Sequence, residues 1–372
     1  MSDLRCRQLS YLALEAPRAG QASYVHVTEI VAGLRRRGWT VRLFQPSYTD
    51  KPVKPGTLGR LLAYGLTQIS LWAGRPRGGM IYVRAHFMAL PTALLARLFG
   101  VPILHEVNGP YEDIFVTYPW LSRFRRPLEA MQRLQYRWAD HLMPVTAELA
   151  EWLQRETGHD RITVISNGAN TDLFHPDAAR PADAPEGPHA IFFGGLARWH
   201  GVDTMLQAIK HPSWPPGVRL VVIGAGQESE RVRRAAAEND AIVFLGPRPY
   251  ETIAGFVSRA IVGLVPITDP GGRSRTGLFP LKLFETLACG VPVIVTDLPG
   301  QADLIRDHDC GIVIPPEDPQ ALAEAVRALA KDPEGTRAMG RRGMLAIHRD
   351  HSWDRRAADV HSLLSRVTPA RG

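Results

Sequence analysis

The feature that most narrows the fold is a series of short, almost unbroken apolar runs: AIFFGG from Ala190, RLVVIG from Arg219, AIVFLG from Ala241, AIVGLVP from Ala260 and VPVIVT from Val291. A strand with one wet face alternates apolar and polar residues, whereas a strand apolar throughout is covered on both faces. That is the condition of a parallel sheet between two layers of helices. Helical patterns separate the runs, so the expected class is α/β.

The first half repeats the alternation. Gln8 to Leu14, Thr40 to Phe44, Met80 to Val83, Pro102 to Glu106, His141 to Pro144 and Ile162 to Ile165 read as strands. A helix between the first two places Val27, Ile30, Val31 and Leu34 on one face, with Gly38 as its C-cap. A chain of 372 residues suits two domains. The proline-rich DAARPADAPEGP, residues 177–188, breaks the alternation and is read as the linker. Residues 1–176 plus 352–372 then form one domain and 189–351 the other. The last segment is a helix capped by Ser352, with Val360, Leu363, Leu364 and Val367 along one stripe that needs a partner surface.

Charge is unevenly shared. Residues 1–175 hold 21 Lys and Arg against 14 Asp and Glu, while residues 176–372 hold 23 of each, so the whole net charge of +7 lies in the first half. Clusters such as Arg35-Arg36-Arg37 and Arg123-Phe124-Arg125-Arg126 suit phosphates of nucleic acid, of lipid headgroups or of a lipid-diphosphate acceptor, and equally a solvated basic face. The 3 cysteines, Cys6, Cys289 and Cys310, have no disulfide or zinc spacing and fit a reducing cytosol. No spanning helix is expected; Leu61 to Trp72 reads as a buried helix or one lying on a membrane surface.

Two loops carry the chemistry. In GGRSRTGLFPLKLFETLACGVPVIVT, residues 271–296, a glycine-rich loop enters a helix that has Pro280 at its first position and ends before Gly290. Leu281, Phe284, Leu287 and Ala288 form its apolar stripe; Lys282 and Glu285, three apart, share another face. A lysine in the first turn faces the positive end of the helix dipole, an unfavourable placement unless an anion lies beside it. A diphosphate on the loop and helix N–H groups, with Lys282 adding charge and Glu285 accepting from ribose hydroxyls, meets that condition; a surface Lys–Glu pair is the alternative. In FFGGLARWHGVDTMLQAI, residues 192–209, Gly194, Gly195 and Gly201 permit close approach of a ligand, and Arg198 and His200 sit in the turn. The GxGxx of VVIGAGQES has Ser229 where a third dinucleotide-type glycine belongs, and Asp307-His308-Asp309 is read as a turn rather than a metal motif.

These segments, with NGANTDLFHP at 167–176 and LVVIGAGQES at 220–229, resemble the GT-B glycosyltransferases of family 4, and the likeness spans nearly the whole chain. It implies two Rossmann-like domains facing across a cleft, a C-terminal helix crossing back to the first domain, and a retaining transfer from a nucleotide diphosphate sugar without a required metal or other cofactor. UDP is favoured as the nucleotide, GDP is the alternative, and the acceptor is a glycan or lipid-linked glycan in polysaccharide or glycolipid biosynthesis. The donor would meet Gly194, Gly195, His200, Gly224, Gly246, Arg248, Leu281 and Glu285, with Arg198 and Lys282 stabilising the leaving diphosphate. The family's pair of glutamates is reduced to Glu285, because Gly277 occupies the first place; N–H groups of Gly277, Leu278 and Phe279 are then expected at the sugar. The family's phosphate-gripping Arg and Lys align with Gly195 and His200, and Arg198 is expected to substitute. Asn108 stands where the family has a histidine near the donor sugar. Gly20, Gln21 and Glu106 are the expected acceptor contacts. The cysteines lead to the expectation of a cytoplasmic enzyme, and the basic half to that of peripheral association with the inner membrane face; no nucleic-acid partner is expected. A non-catalytic binding partner or a sugar-nucleotide epimerase are the other readings.

Overall fold

The computed structural model describes residues 7–16, 21–49, 55–269 and 272–367. The chain divides into two compact units, one formed by the residues up to Ser166 together with those from Arg356, the other by Asn167–Arg355.

In the first unit the strands are β1 (Gln8–Leu12), β2 (Thr40–Phe44), β3 (Met80–Arg84), β4 (Ile103–Val107) and β5 (His141–Pro144). They pair in the order β2-β1-β3-β4-β5, and every pairing is parallel. The connecting helices are α1 (Ala22–Arg36), α2 (Thr57–Gly74), α3 (Leu90–Leu98), α4 (Asp113–Thr117), α5 (Arg125–Trp138) and α6 (Ala147–Thr157). The second unit has β6 (His189–Phe193), β7 (Arg219–Ile223), β8 (Ile242–Gly246), β9 (Val262–Val265), β10 (Val293–Thr296) and β11 (Gly311–Ile314), again all parallel, in the order β11-β10-β9-β6-β7-β8. Its helices are α7 (Val202–Ala208), α8 (Ser229–Glu238), α9 (Tyr250–Val257), α10 (Leu281–Ala288), α11 (Gln301–His308), α12 (Pro319–Lys331) and α13 (Pro333–Asp350).

Both units are therefore Rossmann-like α/β halves, as the apolar runs require. Alternate residues of β6 enter opposite cores, Ile191 and Phe193 one and Ala190 and Phe192 the other, which is why the run tolerates no polar break. The last helix, α14 (Trp353–Val367), starts in the second unit and from Arg356 onward belongs to the first, where Val360, Leu363 and Leu364 are buried. Ser352 caps it, its hydroxyl accepting from the Arg355 N–H at 3.1 Å.

Four sequence expectations change. Residues 162–165 form no strand: an isolated bridge joins Ile162 to Leu142. The boundary falls at Ser166/Asn167 rather than at 177–188, because Phe174, Ala178 and Ala184 insert into the second unit's core. Arg37 is the C-cap of α1 and Gly38 follows it in the left-handed region, at φ +82°. Residues 61–72 do not form a buried helix, since α2 buries Ala63, Thr67, Gln68 and Leu71 and turns most of its leucines outward.

Candidate functional site

In the second unit the strand ends of β6, β7 and β8 lead into the turns that carry the expected donor residues, the edge at which parallel α/β sheets bind ligands. The backbone is pressed together there: a Cβ on Gly224 would lie 1.8 Å from the Gly194 carbonyl oxygen, so only glycine fits. The two turns are thus held as one surface, the Gly194 N–H bonding the Ile223 carbonyl and the Gly224 N–H the Gly246 carbonyl.

Helix α10 opens beside this surface. Pro280 is its N-cap rather than its first helical residue, and the helix is buried on every side, so the Lys282–Glu285 pair is not a surface pair. Lys282 reaches back under β6: its ammonium lies 3.8 Å from the centre of the Phe192 ring, and a Cβ on Gly194 would stand 3.5 Å from its Nζ. Nζ is buried and finds no hydrogen-bond partner among the described residues. Burial pushes the lysine down to about 7, with the charge of Glu285 opposing the change. Burial pushes Glu285 up to about 7, against the Tyr250 hydroxyl, which donates to its Oε1 at 2.6 Å, and the charge of Lys282. Its second oxygen accepts no hydrogen bond from the described residues. A solitary buried ammonium at a helix N-terminus is unfavourable, and an anionic ligand would relieve it.

The N–H groups at this helix start are unequally available. Gly277 donates to the Ser274 carbonyl at 2.8 Å and Leu278 to the Pro299 carbonyl at 2.9 Å, which removes both from the expected sugar contacts. Phe279, Leu281 and Lys282 donate to no described residue, and the Phe279 carbonyl is fixed by the Asn167 amide at 2.7 Å. Gly277 has φ +74° and ψ 153°, a region essentially closed to residues with a side chain. The loop is thus built for glycine rather than for the glutamate of the family pattern.

Other expected donor residues are otherwise engaged. Arg198 opens a short 3₁₀ turn, its side chain is 85% exposed, and its Nε lies 3.5 Å from Glu228 Oε1. The His200 ring bonds the Gly195 carbonyl through Nδ1. Arg248 donates from Nη2 and Nε to Asp183 at 2.7 and 3.1 Å, tying the 177–188 segment to the end of β8. Tyr250, at the first turn of α9, was not singled out from the sequence; the available signal was its place directly after the β8 strand end and Pro249.

The first unit presents a different arrangement. Glu106 on β4 is buried and accepts from Tyr11 at 3.0 Å, Tyr82 at 2.9 Å, His26 at 3.0 Å, Asn108 at 2.7 Å and Arg84. Despite the burial, His26 and Arg84 hold its carboxyl well below the usual carboxylate range. Arg84 is shared with Glu15 and stays charged. Five donors saturate the carboxylate, so Glu106 is an anchor for β1, β3 and α1 and not the expected acceptor contact. Asn108 spends its amide on that anchor and lines a cavity of about 300 Å³ with His86, Phe87, Tyr111, Phe115 and Glu129. Gln21 is the exposed N-cap of α1, and Gly20 lies outside the described residues.

Comparison with known proteins gives these features a context. Residues 187–332 match the family described as Glycosyl transferases group 1, and residues 24–173 match Glycosyltransferase Family 4. The D-inositol 3-phosphate glycosyltransferase of Xylanimonas cellulosilytica is 28% identical, the match covering 96% of each chain. The glycogen synthase of Mycobacterium tuberculosis is 22% identical over 74% of this chain and 66% of its own. Among solved structures, sucrose-phosphate synthase from Thermosynechococcus elongatus superposes with a TM-score of 0.80 at 20% identity, covering 98% of this chain and all of that one (100%). Anabaena Alr3699/HepE in complex with UDP gives a TM-score of 0.70 at 15% identity over 97% of this chain and 100% of its own.

Proposed function

The chain belongs to the family 4, group 1 glycosyltransferases of GT-B fold, and on that premise we propose that it moves a hexose from a nucleotide diphosphate sugar to an acceptor hydroxyl with retention. The observation that carries the proposal is Lys282: a buried ammonium that has no hydrogen-bond partner among the described residues, near Gly194, on a helix start where the N–H groups of Phe279, Leu281 and Lys282 itself bond no described residue. A diphosphate matches that ammonium in charge, and the bound UDP of Alr3699/HepE, a chain of similar fold, favours uridine over guanosine. Glu285, held by Tyr250, accepts from the ribose hydroxyls through its second oxygen.

In this reading the bond from the sugar's anomeric carbon to the β-phosphate oxygen breaks first, and charge grows on the diphosphate. Lys282 and the helix N–H groups stabilise that charge in place of a metal. The departing phosphate oxygen takes the proton of the acceptor hydroxyl, whose oxygen bonds the anomeric carbon on the face just vacated. The first unit binds the acceptor, a glycan or lipid-linked glycan, with Asn108, Gly20 and Gln21 as proposed contacts. Arg198 is assigned a secondary role: it must leave Glu228 to reach a phosphate.

The test is a thermal-shift panel of UDP, GDP and ADP followed by turnover of the matching sugar donors in the presence of EDTA. A ligand at about one hundred times its Kd should add roughly 2.7 kcal/mol of stability. UDP is expected to give the largest shift, and free UDP to be released only when acceptor is present. No shift with any nucleotide defeats the reading. Because Gly277 replaces a family glutamate, a binding-only subunit is the second reading, and tight UDP binding without turnover of any UDP-sugar would select it.

A further inference from the structure

The first-unit cavity that Asn108 lines holds about 300 Å³, near the lower end for small-molecule sites, and is built from aromatic rings and acceptor oxygens. Its walls include Phe87, Tyr111 and Phe115. The Tyr111 ring stands edge-on to Trp152 with centroids 4.7 Å apart, and its hydroxyl donates to Glu156 and accepts from Arg133 at 3.0 Å. Three carboxylates share the lining: Glu15, Asp113 and Glu129. Asp113 folds back over the loop after β4, where a Cβ on Gly109 would stand 2.8 Å from its Oδ2. Glu106 holds the Asn108 amide nitrogen at 2.7 Å, which leaves the amide oxygen to accept from a ligand. A donor is left over as well. Gln132 is 4% exposed and lines the cavity, and its buried Nε2, although near the Tyr136 hydroxyl, completes no hydrogen bond with a described residue. A buried amide N–H left open on a cavity wall costs free energy that a ligand oxygen would recover.

Charge narrows the occupant. No lysine or arginine is among the described residues that line the cavity. The guanidiniums around it are committed to carboxylates: Arg84 to Glu15 and Glu106, Arg133 to Glu156 at 2.7 Å, and Arg125 to Glu129 at 2.6 Å, with the Phe115 ring 5.4 Å from Arg125. His86 adds no charge either, because burial pushes it down to about 4 and its Nδ1 accepts from the Met88 N–H at 3.2 Å. A phosphate placed here would face carboxylates with no unpaired cation to replace its water. An uncharged ring of hydroxyls suits the same walls. Its C–H faces pack on the aromatic faces, and its hydroxyls accept from Gln132 and donate to Asn108, Asp113 and Glu129. We propose that this cavity holds the acceptor as an uncharged hexose or cyclitol ring and turns away the phosphate ester of such a ring. That the ring is an acceptor rests on the transfer proposed for the chain; the preference for a neutral ring rests on the cavity alone.

Calorimetry and saturation-transfer NMR on the full chain, with and without UDP, test it. Methyl glucoside, methyl mannoside, methyl galactoside and myo-inositol are the uncharged probes; glucose 6-phosphate, mannose 6-phosphate and glucosamine are the charged ones. At least one uncharged probe should bind, about tenfold or more tighter than either phosphate ester. Gln132→Leu should weaken that binding by roughly five- to tenfold. Glu129→Lys removes a carboxylate from the lining and frees Arg125, so the phosphate esters should gain about tenfold or more in affinity while the uncharged probe gains nothing. Variants are compared at circular dichroism and melting that match wild type; should Gln132→Leu fail to fold, Phe115→Ala takes its place, with a loss of roughly the same size expected. Phosphate esters that bind wild type as well as uncharged sugars do, or no binding by any uncharged probe, would overturn the proposal. So would glucosamine binding more than about tenfold tighter than methyl glucoside, since the carboxylates would then be ligands of a cation. A chain that UDP stabilises but that binds no uncharged sugar defeats this inference alone. Sugar binding in a chain that no nucleotide stabilises defeats the donor reading and leaves the preference of the cavity standing.

Discussion

Among the described residues the chain buries two glutamates, Glu106 on β4 and Glu285 on α10, and their surroundings are opposite. Glu106 has five donors around it, including His26 and Arg84, and is held ionised. Glu285 has one donor among the described residues, the Tyr250 hydroxyl, and burial pushes it up to about 7; the ammonium three residues earlier has no acceptor among them. The first is a completed network, in which every charge is answered from within the protein. The second is incomplete, and what it lacks is negative charge and hydrogen-bond partners near Nζ. A charge that the fold satisfies by itself is structural, whereas a charge that the fold leaves unsatisfied at a ligand-binding edge is there for something that arrives later.

The largest expected effect tests the completed half. Glu106→Ala removes the acceptor of five hydrogen bonds and leaves Tyr11, Tyr82 and Arg84 buried, with Arg84 retaining only Glu15. Breaking a buried charge network by deleting one partner costs about 3–5 kcal/mol, to be read as a lowered urea midpoint. A loss under about 1 kcal/mol would show that the network is not what holds β1, β3 and α1 together.

The incomplete half should respond in the reverse sense. Lys282→Met deletes an unpaired buried charge, so stability without ligand is expected to hold or rise, while turnover of the sugar donor falls by about 10²–10³-fold. Its pH behaviour sharpens the contrast. In the ligand-free chain Lys282 titrates near 7, below the ordinary lysine value, so the unfolded chain binds more protons above pH 7 and stability rises with pH across that window. Glu285 titrates near 7, above the ordinary carboxylate value, so the folded chain binds more protons below pH 7 and stability falls as pH approaches 7 from beneath. The two contributions give a shallow stability minimum near pH 7, which Lys282→Met with Glu285→Gln should flatten. A bound diphosphate favours charged Lys282, so UDP affinity should weaken above pH 7 by up to about tenfold per unit. A pH-independent affinity in calorimetry would mean the ammonium does not face the phosphates.

Much of this was readable from the sequence. The apolar runs fix the strands because a doubly covered strand has no polar positions to spare, and the predicted range of β2 matches the observed strand. Lys282 and Glu285 were conspicuous because a lysine in a first helical turn opposes the dipole. The saturation of Glu106 was not legible: its donors come from residues 11, 26, 82, 84 and 108, and nothing local in HEVNGP announces them. The outward turn of α2 was hidden likewise, because an amphipathic pattern gives a face and not the direction in which it points. Gly277 marked a departure from the family pattern, yet that its N–H and that of Leu278 are already bonded depends on the fold of 272–300.

Arg198 is where sequence and structure part most, and it gives the smallest expected effect. The sequence offers it as a replacement for the family's phosphate-gripping residues; the structure places it outside, 85% exposed and 3.5 Å from Glu228. An exposed ion pair of that kind contributes at most about 1 kcal/mol, so detaching the arginine costs little, and a phosphate could draw it in. What it gives in return is also limited, because a mobile cation in water is far weaker than a buried one. Arg198→Ala should therefore raise the KM for the donor by roughly two- to fivefold with little change in kcat, and Glu228→Gln, which frees the arginine, should lower that KM slightly. A loss as large as that of Lys282→Met would show that the ligand-bound loop differs from the loop described, and that buried and exposed cations share the work equally.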